Sequence, residues 1–142
     1  MIAAGTNQDV LIWDIHKLQK PIGRFVECHN EDVTAVKFCN PSASNLMISC
    51  SIDNILSMFD LNNQQGPLTK LNEEDLIDGG YSSTQPMIDC GFVNPEIIYT
   101  VSSINTVEFL RVMDATCFME LVSVSQNFFD KSSFVVSCLV PP

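Results

Sequence analysis

The sequence predicts an all-β fold built from a repeated antiparallel meander, and three observations carry that expectation. The first is one complete unit, Cys28 to Asp60. In it His29 precedes an apolar strand at Val33–Phe38, an Asn-Pro turn leads to a second strand at Leu46–Cys50, and a turn at Ser51-Ile52-Asp53-Asn54 leads to a third strand ending in Phe59-Asp60. The second is recurrence. A shift of 46 residues lays Trp13-Asp14-Ile15 on Phe59-Asp60-Leu61, a shift of 54 lays Phe38-Cys39-Asn40-Pro41 on Phe92-Val93-Asn94-Pro95, and a shift of 52 lays Ser51-Ile52-Asp53-Asn54-Ile55 on Ser103-Ile104-Asn105-Thr106-Val107. The third is that strands such as Val33–Phe38 and Ile97–Val101 carry apolar residues at both odd and even positions. A strand with one wet face alternates strictly; one apolar on both faces belongs to a sheet covered on both sides.

Periods of 46 to 54 residues in an all-strand pattern point to the blades of a propeller, whose repeats run to roughly 40–50 residues. Taken in order, residues 1–27 form a partial blade. It comprises a strand end at 2–6, a turn at Asn7-Gln8-Asp9, a strand from Val10 to Trp13, a polar connector and an outer strand from Pro21 to Val26. Residues 28–72 are the central blade, with Pro67 to Leu71 as its outer strand, and residues 73–85 are a polar loop carrying Glu73-Glu74-Asp75. Residues 86–121 make a degenerate third blade, with strands at Met87–Phe92, Ile97–Ser102 and Thr106–Leu110 and an outer strand at Cys117–Leu121. Residues 122–142 either begin a further blade through the apolar run Phe134 to Val140 or form a tail. About two full and two partial blades are visible, where closed propellers use ~4–8. The expectation is therefore a partial propeller, an open arc belonging to a longer chain.

A His ahead of the first strand, an Asp in the second turn and an aromatic-Asp pair closing the third strand resemble the WD-repeat family of β-propellers. The segments that carry the resemblance are AAGTNQDVLIWD, HNEDVTAVKFCNP and SIDNILSMFDLN, and it covers about residues 1 to 121. It implies a structural hydrogen-bond set of His29, Ser49 or Ser51, and Asp53, with the closing pairs Phe59-Asp60 and Trp13-Asp14. Phe59 stands where the family usually has Trp, which removes an indole donor. In the first blade Asn7 or Asp9 stands for the turn Asp. The chemistry suits a corner: a turn carboxylate accepts from one imidazole nitrogen while a serine hydroxyl donates to the other. The resemblance also implies a non-catalytic scaffold that binds protein partners.

Ser, His and Asp together also spell a hydrolase triad, but the sequence holds no Gly-x-Ser-x-Gly elbow. The alternative kept open is a propeller that binds or converts a small ligand in a pocket near His29. No metal site is expected, because His16 is the only other histidine and its spacing to the cysteines fits no zinc pattern; nor is any cofactor. The six cysteines form no C-x-x-C pair and sit in apolar strand patterns or at strand ends, which reads as buried reduced thiols. With seven basic residues against seventeen acidic ones and a net charge of −10, nucleic acid is excluded as a partner and basic peptides are favoured. The first residues lack a signal-like basic region and the apolar runs stop short of the ~20 residues of a membrane span, so the expectation is a cytoplasmic or nuclear protein without a membrane role.

The remaining expected partners are the further blades of the chain's own propeller. Ile2-Ala3-Ala4 and Phe134–Val140 are apolar runs near the two ends of the arc, and terminal repeats without polar caps leave surface and strand edges uncovered. The 142-residue chain should therefore self-associate or aggregate, or form an open arc of only marginal stability; a sharp, soluble, cooperatively melting monomer in size-exclusion chromatography with light scattering would contradict this.

Overall fold

The computed structural model describes residues 1–40, 45–61 and 80–122. These form eleven strands: β1 (Ile2–Gly5), β2 (Val10–Trp13), β3 (Gly23–Phe25), β4 (Val33–Phe38), β5 (Leu46–Ser51), β6 (Ile55–Asp60), β7 (Tyr81–Ser82), β8 (Met87–Asn94), β9 (Ile97–Ser102), β10 (Val107–Arg111) and β11 (Cys117–Leu121). All pairing is antiparallel and sequential, giving sheets β1-β2-β3, β4-β5-β6-β7 and β8-β9-β10-β11. Each is a meander. The described residues include no helix long and apolar enough to cross a membrane.

The sheets stack through their first strands: β1 packs on β4, and β4 and β5 pack on β8. The apolar residues found on both strand faces are the reason. Five of the six residues of β5 and of β9 are buried, a level that one covered face cannot supply. One core layer, between the first two sheets, holds Val10, Ile12, Phe25, Met47 and Phe59. The next holds Ile48, Cys50, Leu56, Met58, Met87, Cys90, Ile98 and Leu110. Alternate β5 residues, Met47 on one side and Ile48 and Cys50 on the other, thus feed different layers.

Three expectations are corrected. Tyr81-Ser82, expected within the polar loop 73–85, instead form β7 and pair with the start of β6, Ile55 opposite Ser82 and Leu56 opposite Tyr81. Pro67 to Leu71, the acidic cluster 73–75 and the run 134–140 lie outside the described residues. The repeat register of 52 is also off by one. Cys50 faces Leu56 and Val101 faces Val107, and Asn54 N–H donates to Ser51 O as Asn105 N–H does to Ser102 O, so the turns superpose at 51. A slip of one residue exchanges strand faces, so it is Ile104 that occupies the place of Asp53. Finally, Cys39, Cys50 and Cys90 are buried but Cys117 is exposed, because all of β11 is exposed; Cys138 lies outside the described residues.

Polar contacts key the second sheet to the third. The Thr34 hydroxyl lies 2.9 Å from Met87 O and 3.1 Å from Cys50 O, and Lys37 Nζ lies 3.5 Å from Asp89 Oδ1. Farther out, Tyr81 O–H donates to Glu108 Oε1 at 3.0 Å while Thr100 O–H donates to Oε2 at 3.1 Å. Burial, then the Glu108 carboxylate, pushes the Tyr81 phenol well up.

Within the third sheet Gly91 lies opposite Tyr99, and a Cβ at residue 91 would sit 2.7 Å from the phenol ring. Tyr99 is only 5% exposed, so its ring has little room to move. Gly91→Ala should cost about 1–3 kcal/mol by overpacking, read as a lowered midpoint in urea at unchanged slope.

Candidate functional site

The strongest polar constellation sits where the first sheet hands over to the second. Residues 26–32 connect β3 to β4, and His29 N–H donates to Gln8 O in the β1–β2 turn at 3.1 Å. This leaves the imidazole buried, 3% exposed, under the β5–β6 turn. His29 Nε2 is 2.7 Å from Ser49 Oγ and Nδ1 is 3.2 Å from Asp53 Oδ2. An ionised carboxylate only accepts, so Nδ1–H donates to Asp53 and Nε2 accepts the Ser49 proton. Asp53 Oδ2 also accepts from Asn30 N–H at 2.8 Å, and Oδ1 from Ile55 N–H at 2.8 Å. The carboxylate therefore joins the connection, the turn and the start of β6.

Of the sequence-predicted residues, His29, Ser49 and Asp53 meet here. Ser51 takes a different part: its hydroxyl donates to Glu31 O at 3.2 Å and accepts from Asp53 N–H at 3.1 Å. The closing pairs lie elsewhere. Phe59 is paired with Met47 in the ladder and fully buried, its ring centroid 4.1 Å from that of Phe25 and tilted 41°. Trp13 is half-buried near the other end of β2, Asp14 Oδ1 accepts from His16 N–H at 2.9 Å, and Asp60 is half-buried at the end of β6 opposite Leu46.

In the first sheet Asp9 is the turn carboxylate, with no histidine beside it. Its Oδ1 accepts from Glu27 N–H at 2.7 Å and its Oδ2 pairs with the Arg24 guanidinium. Burial alone would raise the Asp9 carboxyl, but Glu27 N–H and Arg24 outweigh it and hold the group below its usual value. Arg24 and Tyr81 were not singled out from sequence; the Asp9–Arg24 spacing of fifteen residues and the pairing of β7 with β6 become visible only once the strands are in register.

Two further features bear on chemistry. The Cys28 thiol is pushed up to about 11, chiefly by burial, which leaves it protonated and unreactive at neutral pH. A surface recess lined by Ile15 to Ile22 lies on the β2–β3 loop, at the end of β2 opposite the turn that His29 touches, and does not include His29. Among the described residues no group of three or more His, Cys, Asp and Glu is placed to hold a metal ion.

Burial lowers the His29 pKa below its ordinary 6.5, and the opposing attraction of Asp53 only partly offsets it. A histidine whose folded pKa is depressed contributes stability above the unfolded value and loses it as pH falls through the folded one. The melting temperature should therefore decline below pH 6.5, with a shallower decline in His29→Asn. His29→Ala at neutral pH should cost about 1–3 kcal/mol, because Asp53 and Ser49 lose their partner; an unchanged melt would show that the corner carries no stability.

No family model matches the chain. It is 32% identical to an uncharacterized WD repeat-containing protein of Saccharomyces cerevisiae over 104 residues, 72% of this chain and 24% of the relative. It is 36% identical to the WD repeat-containing protein 89 homolog of Dictyostelium discoideum over 61 residues, 43% of this chain and 16% of that protein. The chain thus spans about a quarter of the length of the yeast relative. Among solved structures, the WD40 β-propeller domain of Doa1 matches with a TM-score of 0.61 at 13% identity, covering 83% of this chain and 35% of that one. The C-terminal WD40 domain of Sif2 matches with a TM-score of 0.60 at 14% identity, over 82% of this chain and 29% of that one. Three stacked antiparallel meanders, a histidine tied to the turn of the sheet it precedes, and these likenesses converge: the fold is that of WD40 β-propeller blades, and the sequence is similar to WD repeat-containing proteins.

Proposed function

We propose that the chain is a non-catalytic protein–protein interaction scaffold whose sheets serve as blades of a longer propeller, working in the cytoplasm or nucleus. The observation that carries the reading is the state of its most reactive-looking constellation. His29 is 3% exposed and Ser49 fully buried, and both imidazole nitrogens already have partners inside the fold. A hydrolytic serine needs an open approach and donors aimed at the developing oxyanion; Ser49 lies within a ladder strand, paired with Ser57. The pocket alternative gains nothing from the recess at Ile15 to Ile22, which lies away from His29.

Further support comes from the similarity to WD repeat-containing proteins over 72% of the chain. Buried thiols such as Cys50 and Cys90 suit a reducing compartment. The net charge of −10 suits a protein partner better than a phosphate backbone. A fluorophosphonate probe tests the central point: the folded chain should take up no label at Ser49, and stoichiometric labelling there that His29→Ala abolishes would replace the scaffold with a hydrolase.

A further inference from the structure

The outer strands of the three sheets differ in how they treat their free edge. β3 is three residues long and carries Arg24, and β7 is two residues long. Shortness and charge are the usual protection of an edge against pairing with another chain. β11 has less of either. It runs for five residues, Cys117–Leu121, all of them exposed, and its single charge is Glu120. Phe118, Met119 and Leu121 stand in solvent at 43%, 48% and 44% exposure. One edge of β11 pairs with β10, and the other faces no strand among the described residues. The sheets stack through β1, β4, β5 and β8, so further sheets stacked in the same way leave this edge open.

The register of β10 and β11 shifts between Phe109 and Leu110, which leaves Phe118 unmatched in that ladder. Its ring is met instead by the Arg111 guanidinium, 5.7 Å from the centroid. Laid antiparallel on a second copy about a two-fold axis at Met119, the midpoint of the strand, β11 sets Met119 against Met119, Phe118 against Glu120 and Cys117 against Leu121. Residues directly opposite in an antiparallel pair are close neighbours on one face, so Glu120 of the second copy arrives beside the Phe118 ring and the Arg111 cation over it. Two symmetric Arg111–Glu120 pairs then flank an apolar centre, and within the strand no charge meets its like. The edge is thus self-complementary, as a two-fold interface requires. Each copy carries a net charge of −10, but at physiological salt the Debye length is about 8 Å, which screens repulsion between the bodies far more than attraction between charges in contact.

We propose that β11 is a homodimer interface: two copies join edge to edge, antiparallel and centred on Met119, with Arg111 of each copy paired to Glu120 of the other. The two four-stranded third sheets then run on as one. Strands this short bury less than the ~1,000 Å² of a stable interface, so the joint is reversible and concentration-dependent. This dimer adds to the scaffold reading without resting on it, because no partner protein is needed to form it.

The test is sedimentation velocity of the full chain across a concentration series, with chemical trapping of the register. The chain should exchange between monomer and dimer. Met119→Lys, which sets like charges against each other at the centre, and Arg111→Glu, which faces Glu120 with a carboxylate, should each weaken dimerisation roughly tenfold. Combining Arg111→Glu with Glu120→Arg should restore it, a rescue that general stickiness cannot give. In a Cys117→Ser background, Met119→Cys should be trapped as a covalent dimer by glutathione disulfide: two thiols form one S–S bond and the oxidant is reduced to two glutathione thiols. Opposed Cα atoms about 4.5–5.5 Å apart are within disulfide reach. Leu121→Cys in the same background should not be trapped, because it lies against residue 117. All these side chains are exposed, so circular dichroism melts should stay unchanged. A monomer at every concentration, association indifferent to Met119→Lys, no rescue by the charge exchange, or equal trapping at positions 119 and 121 overturns the proposal; association indifferent to β11 places the contact on another surface, such as an open sheet face or the residues beyond Val122.

Discussion

A sheet that is apolar on both faces cannot stand alone in water, and the rest of this structure follows from that constraint. The middle strands β5 and β9 are buried along nearly their whole length, so each sheet needs a neighbour on either side. Burial at roughly 25 cal/mol per Å² of apolar surface favours the stack but does not fix its order or rotation, because dispersion and hydrophobic contact are not directional. Direction comes from the polar atoms at the seams: the Thr34 hydroxyl at Met87 O, Lys37 at Asp89, Tyr81 at Glu108, and the carboxylates of Asp9 and Asp53 at the turn-bearing end.

The corner of His29, Ser49 and Asp53 shows how function and architecture separate in such a fold. The residues are those of a hydrolase, but His29 and Ser49 are buried, and Ser49 lies within a ladder strand with no open approach to its hydroxyl.

Much of the fold was legible because the signals were local: strand lengths, turn residues and apolar positions on both faces place β4, β5, β8 and β9 within a few residues of where they lie. The site was legible through His29 and Asp53, since each sits at a chain position whose turn chemistry demands a polar residue. What the sequence did not disclose depends on long-range register. Tyr81-Ser82 reads as loop because two residues show no periodicity, and only pairing with Ile55 and Leu56 makes them a strand. The one-residue error between the second and third sheets arose from matching Ile52 to Ile104 by letter, whereas hydrogen bonding matches Asp53 to Ile104. Arg24 at Asp9 and Glu108 beneath Tyr81 are pairings between strands, invisible until the strands are laid side by side.

Glu108 has a consequence for how such a chain can change over evolutionary time. Its carboxylate is 7% exposed and takes one of its donors from Tyr81, a residue of the preceding sheet. Repeats look interchangeable, and propellers are commonly thought to grow by copying a unit in tandem. Here a duplicate of the third sheet inserted after the original would find no tyrosine at the matching place: β11 offers Cys117, Phe118, Met119, Glu120 and Leu121, none of which carries a hydroxyl. The copied carboxylate would be left with one neutral donor and a second glutamate nearby. The order of the units is therefore written into their seams, and this pair can be lengthened by duplication only if the joint is rewritten together with it.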